Sequence, residues 1–509
     1  MKKRSLWLSA AAALLIAAAL AGCGTTTYFA GRVLPPSGLA NRVLIAIQNP
    51  SVATAGALQF VDAYYDIRFR YNGNSTAPAF PITGYSALLP ITIQNMPEEQ
   101  LGVVYGSGDG SLDIIKYATE TFSGSAGSLP GLSSSAFITR NQLYVIAANQ
   151  LAHVLTVLDK SSSNGGSYAF SLPGVYRVSV NPGGSMALAF VENSNYVYYP
   201  RKLSAAQTLA YSGGSSTWPK AAMDCEPQNA PVWCLFQAQS PDHTDSTGNY
   251  YGAPLTFDRP VKAVFSADGS TAYVLNCGPE CRGTTASITP LPVAPMIYLV
   301  GQQAGTLPTQ SVIGTKCATA ASASGCSLPI TGGASNALVD SSTMYVAGQA
   351  SASTPNGAFW GGNLTVVTLP TGSATAMTAA APVSISDGAP GAVSKMIEAD
   401  DNTLWIGMTK CTNGARYNNP GIYGSSYGCL TMYNTSTGTV TLLEPYIGDT
   451  TGIAAITGLH KIYTAEGGQV YIYSTVNGSS IDNQYVTVTG TAYDVAYMDA
   501  DTDTDNTVY

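Results

Sequence analysis

Gly424-Ser-Ser-Tyr-Gly428 has the G-x-S-x-G spacing of a serine nucleophile. That chemistry needs the serine on a sharp strand-to-helix turn with a base beside it. Here the pentapeptide lies in a Gly- and Tyr-rich stretch between Cys411 and Cys429 with no helical pattern after it, so composition accounts for the match. The chain has three histidines. His153 sits in an apolar strand-like run, His243 in a polar insertion and His460 in a turn, which makes each a core or surface residue. Glu98-Glu99 and Glu398 with Asp400 offer acid and base pairs. Both couples fall in expected turns between strands, where solvation explains them. Asp499, Asp501, Asp503 and Asp505 alternate near the C-terminus, and alternate oxygen ligands suit calcium. The Gly turn and distal Glu of a calcium loop are missing, and a solvated acidic turn accounts for the same residues. Calcium is the cofactor the sequence admits; it suggests no other.

The nine cysteines are more informative. Setting Cys23 aside, the rest fall as near neighbours. Short loops cost least entropy to close, which pairs Cys225 with Cys234, Cys277 with Cys281, Cys317 with Cys326 and Cys411 with Cys429. Disulfides imply an oxidising, exported setting. The alternative is zinc at Cys277-x3-Cys281, but no second close Cys or His pair follows. Cys-x-x-Cys-His is absent, which removes c-type haem.

The N-terminus agrees with export. Lys2, Lys3 and Arg4 precede an apolar run from Leu6 to Leu20, shorter than the ~20 residues that span a bilayer as a helix. Leu20-Ala-Gly-Cys23 resembles a bacterial lipobox, whose cysteine takes the lipid before cleavage. The resemblance implies a signal peptide over 1–22, a lipid on Cys23, a tether over 23–40 and a domain over 41–509. Gly24 after the cysteine is not the aspartate of an inner-membrane retention signal, so an outer-membrane address is expected. Cleavage would remove three basic residues and no acid, leaving the mature chain more acidic than the formal −8. Without a Lys/Arg cluster, nucleic acid is excluded as a partner.

The elements that must hold these residues are strands. Only 10% of residues are charged, with 52 Gly and 31 Tyr, a composition poor in helix formers. Apolar couples of strand length recur across polar turns: Tyr176–Val180 with Met186–Phe190, Val261–Phe265 with Thr271–Leu275, Lys395–Ile397 with Leu404–Ile406, and Gly452–Ile456 with Lys461–Tyr463. Further short strands follow each couple. Four antiparallel strands per unit, repeated every ~40–70 residues, predict an all-β chain folded as a single β-propeller of seven or eight blades. Val43–Ile47 reads as a second strand with no first before it, and Tyr493–Tyr497 as a first strand with little after it. The C-terminal strand is therefore expected to close the ring.

Phe265-Ser-Ala-Asp-Gly-Ser270 followed by Tyr273-Val-Leu-Asn276 resembles the YVTN-type propeller repeat, to which lactonase-like propellers are related. Ala267 stands where proline is usual and Leu275 where threonine is. The resemblance implies the fold and leaves the activity open. With strands A to D in each blade, A–B and C–D turns share one rim of the ring, and B–C and D–A connections share the other. All four cysteine pairs are expected on the second rim. Its long loops carry Trp360, Tyr417, Tyr423, Tyr427, Arg282 and Arg416, with Trp218, Trp233, Tyr250 and Tyr251 nearby. Aromatic faces beside polar donors suit a glycan or a protein segment. The expected function is that of a lipid-anchored binding protein at the cell envelope, without enzymatic activity. The alternative is a lactonase-like hydrolase.

Overall fold

The computed structural model describes residue 32 and residues 34–501, except 50–54, 67–70, 73–74, 77–79, 162–165, 206, 209–218, 227–231, 246–247, 297–304, 318–324, 355–356, 371–375, 387–391, 410–429 and 444–447. Cys23 with its signal peptide, Cys411, Cys429, Arg416, Tyr417, Tyr423, Tyr427, Asp503 and the G-x-S-x-G stretch lie outside the described residues.

The turn Ser266-Ala-Asp-Gly-Ser270 shows how each hairpin is made. Gly269 takes φ 68°, and the Asp268 carboxylate accepts from the Ser270 N–H at 3.0 Å. The chain thus reverses between Pro260–Phe265 and Thr271–Asn276, the strands A and B of blade 5. Equivalent A strands are Pro90–Met96, Ser135–Ile138, Val175–Val180, Asn336–Asp340, Ala392–Ala399 and Thr450–Ile456, in blades 2, 3, 4, 6, 7 and 8. Each begins an antiparallel sheet of four or five strands. Blade 1 takes its A strand from the far end of the chain: Thr491–Tyr497 pairs with Arg42–Gln48 in the register Val43↔Tyr497. The protein is an eight-bladed β-propeller closed by its C-terminal strand, with almost no helix.

Both faces of these sheets are apolar, and one sheet cannot cover both of its faces. Eight hydrophobic clusters among the described residues resolve this, one between each pair of successive blades. The cluster joining blades 8 and 1 packs Ile456 and Ile472 against Val43 and Val495, so closure is by packing as well as by pairing. Buried ions reinforce it. The Arg42 guanidinium meets Asp499 at 2.6 Å and Glu120, from the C–D turn of blade 2, at 2.9 Å. Asp499 is therefore not in a solvated turn: it is 3% exposed and also accepts from the Arg42 N–H at 2.8 Å.

Three of the expected disulfides form: Cys225–Cys234, Cys277–Cys281 and Cys317–Cys326. They do not share a rim. Cys277–Cys281 lies in the B–C connection of blade 5, as expected. In blade 4 strand C (Val197–Lys202) pairs with Trp233–Gln237 as strand D, and Ala222–Glu226 adds a fifth strand outside it. Cys234 stands opposite Arg201, toward the A–B rim. Cys317–Cys326 belongs to the C–D connection of blade 5, because strand D there is only Leu328–Pro329, after the insertion. Both long insertions are thus C–D connections rather than the D–A connections the sequence suggests, and the Cys225–Cys234 bridge lies toward the opposite rim from the one expected.

Candidate ligand site at the channel mouth

The innermost strands carry a repeated irregularity. A register shift falls near the start of strand A in blades 2, 4, 5, 7 and 8, and in the closing strand of blade 1. Such bulges add twist and re-aim the next side chain. That next residue is Thr92, Arg177, Lys262, Lys395, Gly452 and Asp494 in blades 2, 4, 5, 7, 8 and 1. Ser135 and Asn336 hold the same place before the A–B turn in blades 3 and 6. One position per blade thus forms a belt about the axis.

The contacts confirm that these residues meet across blades. Lys262 Nζ donates to Asn336 Oδ1 at 2.7 Å, and Asn336 Nδ2 donates to the Ser394 carbonyl at 3.2 Å. The Arg177 guanidinium reaches past blade 5 to the Ser335 carbonyl of blade 6, at 3.4 Å. Lys395 of blade 7 pairs with Asp494 of blade 1 over the intervening blade 8. Gly452 leaves the room: a Cβ there would lie 2.8 Å from Asp494 Oδ1 and 2.7 Å from its Cα. Asp494 also accepts from the Ile93 N–H at 2.8 Å.

On the A–B side of this belt opens a cavity of about 600 Å³. Blades 3 to 8 all contribute to its wall, from Arg140 and Pro182 through Val264–Ala267, Asn336–Ser341 and Met396–Asp400 to Thr457. The inner wall is apolar, with Val264, Phe265, Met396 and Ile397, and the polar groups are carboxylates, hydroxyls, one guanidinium and the Asn336 amide. Burial and the neighbouring Asp340 push the Glu398 carboxyl up to about 7. Burial, with Glu398 second, pushes the Tyr345 hydroxyl behind it to about 12. Asp400 is committed to structure, accepting from the Gly458 and His460 N–H groups at 2.8 and 2.9 Å. His460 pairs with Asp401 at 2.9 Å, which raises the imidazole above its usual pKa. The arrangement can hold a polar ligand of sugar size and exchange a proton with it at Glu398.

The ligand site expected from the aromatic and basic residues belongs to the other rim. Trp360 lies there, 36% exposed, on a hairpin of blade 6 formed by Thr343–Thr354 and Gly357–Thr368. Arg282 lies there too, exposed, at φ 66° in the B–C connection of blade 5. The two loops touch, since the Gln349 N–H donates to Glu280 Oε2 at 2.9 Å. Trp233 is core: it is fully buried, donates to Asp159 Oδ2 at 3.0 Å and packs against Tyr144 and Tyr168. His153 stands in a turn at φ 59°, not within a strand. Asp499 is engaged by Arg42 and Asp501 is exposed. Among the described residues no three His, Cys, Asp or Glu side chains are grouped to hold a metal. Glu398 and Asp400, expected in a solvated turn, line the channel-mouth cavity together with Asp340, which sequence motifs alone do not single out. The signal that finds them is an acidic residue at the A–B end of two successive A strands.

No protein-family model matches the chain, and no curated protein matches its sequence. Similar solved structures include a Kuenenia stuttgartiensis hydrazine synthase, 11% identical with a TM-score of 0.43, over 80% of this chain and 99% of that one. A putative 6-phosphogluconolactonase from Bacteroides fragilis is 10% identical with a TM-score of 0.39, over 80% and 96%. Another from Bacteroides uniformis is 11% identical with a TM-score of 0.38, over 90% and 99%. At such identities these are resemblances of architecture, and they assign no activity to this chain.

Proposed function

We propose that this propeller is a lipid-anchored binding protein of the bacterial cell envelope whose ligand is a carbohydrate held in the channel-mouth cavity. The observation that carries the reading is the cavity itself. Its size suits a sugar, its inner wall is apolar, and Asp340, Glu398, Ser266 and Ser341 converge as partners for hydroxyl groups. The envelope address rests on the lipobox-like Leu20–Cys23 and the cysteine couples, and the YVTN-type resemblance of Phe265–Asn276 belongs to the same picture. A glycan array on the full-length protein, followed by calorimetry, tests it. Binding weakened roughly tenfold by Glu398→Gln is expected, since a charged or shared hydrogen bond is lost. No carbohydrate binding would end the reading. Cys23→Ser should move the protein out of the membrane fraction.

Glu398 favours a second reading, a lactonase-like hydrolase. A carboxyl group titrating near neutrality inside a cavity can take a proton from water as that water attacks a lactone carbonyl, and return it to the leaving ring oxygen. Saturable opening of a sugar lactone, abolished in Glu398→Gln, would establish it; inert lactones would leave the binding reading alone.

A further inference from the structure

Arg177 and Lys262 hold equivalent places in adjacent blades, and the belt around them is unevenly charged. Of its four ionic members, Lys395 and Asp494 neutralise one another. Lys262 has no carboxylate partner among the described residues. It is 8% exposed, and its ammonium is met by the neutral amide oxygen of Asn336. Arg177 donates to the Val261 and Ser335 carbonyls at 3.5 and 3.4 Å. The acid near it, Glu280, is turned toward the Gln349 N–H, and burial raises its pKa and so favours its neutral form. Two cations side by side with one shielded acid between them and water form a costly arrangement, because a buried charge without a counter-ion is penalised by several kcal/mol. The repulsion shows in Lys262, whose pKa burial and then Arg177 drive down to about 7.

The cavity supplies the missing element. Asn336, which accepts from Lys262, also lines the cavity, so the ammonium is hydrogen-bonded to a residue of the cavity wall. The acidic groups lie farther out, toward the A–B turns: Glu398 and Asp340 stand at the far ends of A strands whose inner ends carry Lys395 and Asn336. A ligand lying along the axis would meet cations inside and hydrogen-bonding carboxyl groups outside. Glu398 is half-protonated near neutrality, and its neutral form donates a hydrogen bond to such a ligand.

We propose that the ligand is an acidic carbohydrate, and that Lys262, backed by Arg177, is the subsite for its oxyanion, the Asn336 amide giving way to the anionic group. This rests on the cavity being the ligand site. The carboxylate of a uronic acid and a phosphate group share the required chemistry, and the test separates them.

Calorimetric titration of the full-length protein with glucuronate, glucose and inorganic phosphate, repeated on Lys262→Met, decides the matter. Wild type should bind glucuronate at least roughly tenfold more tightly than glucose, the ratio expected of one charge-assisted hydrogen bond. Lys262→Met should bind the two sugars alike while keeping its affinity for glucose. Phosphate that competes with glucuronate in wild type extends the subsite to phosphorylated sugars; phosphate that does not compete restricts it to carboxylates, with the subsite intact in either case. Equal binding of both sugars by wild type, or a preference that survives Lys262→Met, overturns the proposal and leaves the cavity reading standing. Should neither sugar bind, the cavity reading falls, and the oxyanion subsite then stands or falls on whether phosphate raises the melting temperature of wild type and not of Lys262→Met. Arg177→Gln, at a half-buried position, serves if the methionine variant does not fold.

Discussion

Glu398 and Gly452 show what single side chains do here. Glu398 would titrate near 4.5 in the unfolded chain and does so near 7 in the fold. Below pH 4.5 both states hold the proton and the residue is neutral to stability. As pH rises through the interval the unfolded chain releases its proton first, so the folded state loses ground, and above 7 the whole penalty is present. Glu398→Gln should therefore leave stability unchanged at pH 4 and raise it by about 2 kcal/mol at pH 8. Urea denaturation at the two pH values measures this, and an equal effect at both would show that the carboxyl is not perturbed. Gly452 acts by absence. A methyl group there would overlap the Asp494 backbone and displace its carboxylate from Lys395. Gly452→Ala should cost about 2–4 kcal/mol, combining overpacking with a disturbed ion pair. A melting temperature within a degree of wild type would mean that the belt has slack.

At the scale of the element, the closing strand depends on Arg42. The guanidinium joins strand B of blade 1, the turn of blade 2 that carries Glu120, and Asp499 just beyond the C-terminal strand. Arg42→Ala strands two buried carboxylates, and the expected loss is about 3–5 kcal/mol by chemical denaturation. A loss below about 1 kcal/mol would show that pairing and packing close the ring unaided. The closure was legible in the sequence because Val43–Ile47 and Tyr493–Tyr497 are strands without neighbours in their own stretch of chain. The blade count was legible to within one, seven or eight, for a related reason: each A–B hairpin announces itself through two apolar runs across an Asp-, Asn- or Gly-bearing turn. The rims were not. Strand D of blade 5 is two residues, Leu328–Pro329, and nothing in such a dipeptide marks it as the end of a blade. The insertion before it therefore reads as a D–A connection, as does the one before Trp233–Gln237 in blade 4, which misplaces Cys234 while the later blades keep their rims. The site was hidden for a different reason. Asn336, Asp340 and Glu398 come from two blades with the same local pattern, and only the ring brings their ends together. Lys262 reads locally as a polar residue in a half-exposed strand; the axis of the propeller is what buries it.

For the whole molecule, buried titratable groups set how stability follows pH. Burial raises Asp113 to about 6 and both Glu398 and Glu466 to about 7, Glu466 despite its bonds to Thr464 and Tyr473. Between their ordinary values near 4 and about 7 the unfolded chain gives up protons that the fold retains, so stability falls as pH rises. Lys262 works the other way, in a different window. Its folded pKa of about 7 lies below the ordinary 10.5, so between those values the unfolded chain binds the extra proton and stability rises with pH. Tyr199 and Tyr345, both lifted to about 12, reverse the trend again above pH 10. The melting temperature should thus be highest at the acid end of the range, dip near neutrality, recover part of the loss toward pH 9 and fall beyond 10. Net negative charge grows along the same axis and deepens the first descent through self-repulsion. Scanning calorimetry from pH 4.5 to 10.5 tests the shape, with Lys262→Met as the control. The variant should lose the recovery between pH 7 and 9 and keep the descent before it. A wild-type curve that climbs from pH 5 to 7 would contradict the burial of these carboxyls, and a recovery that persists in the variant would assign the alkaline limb to some other group.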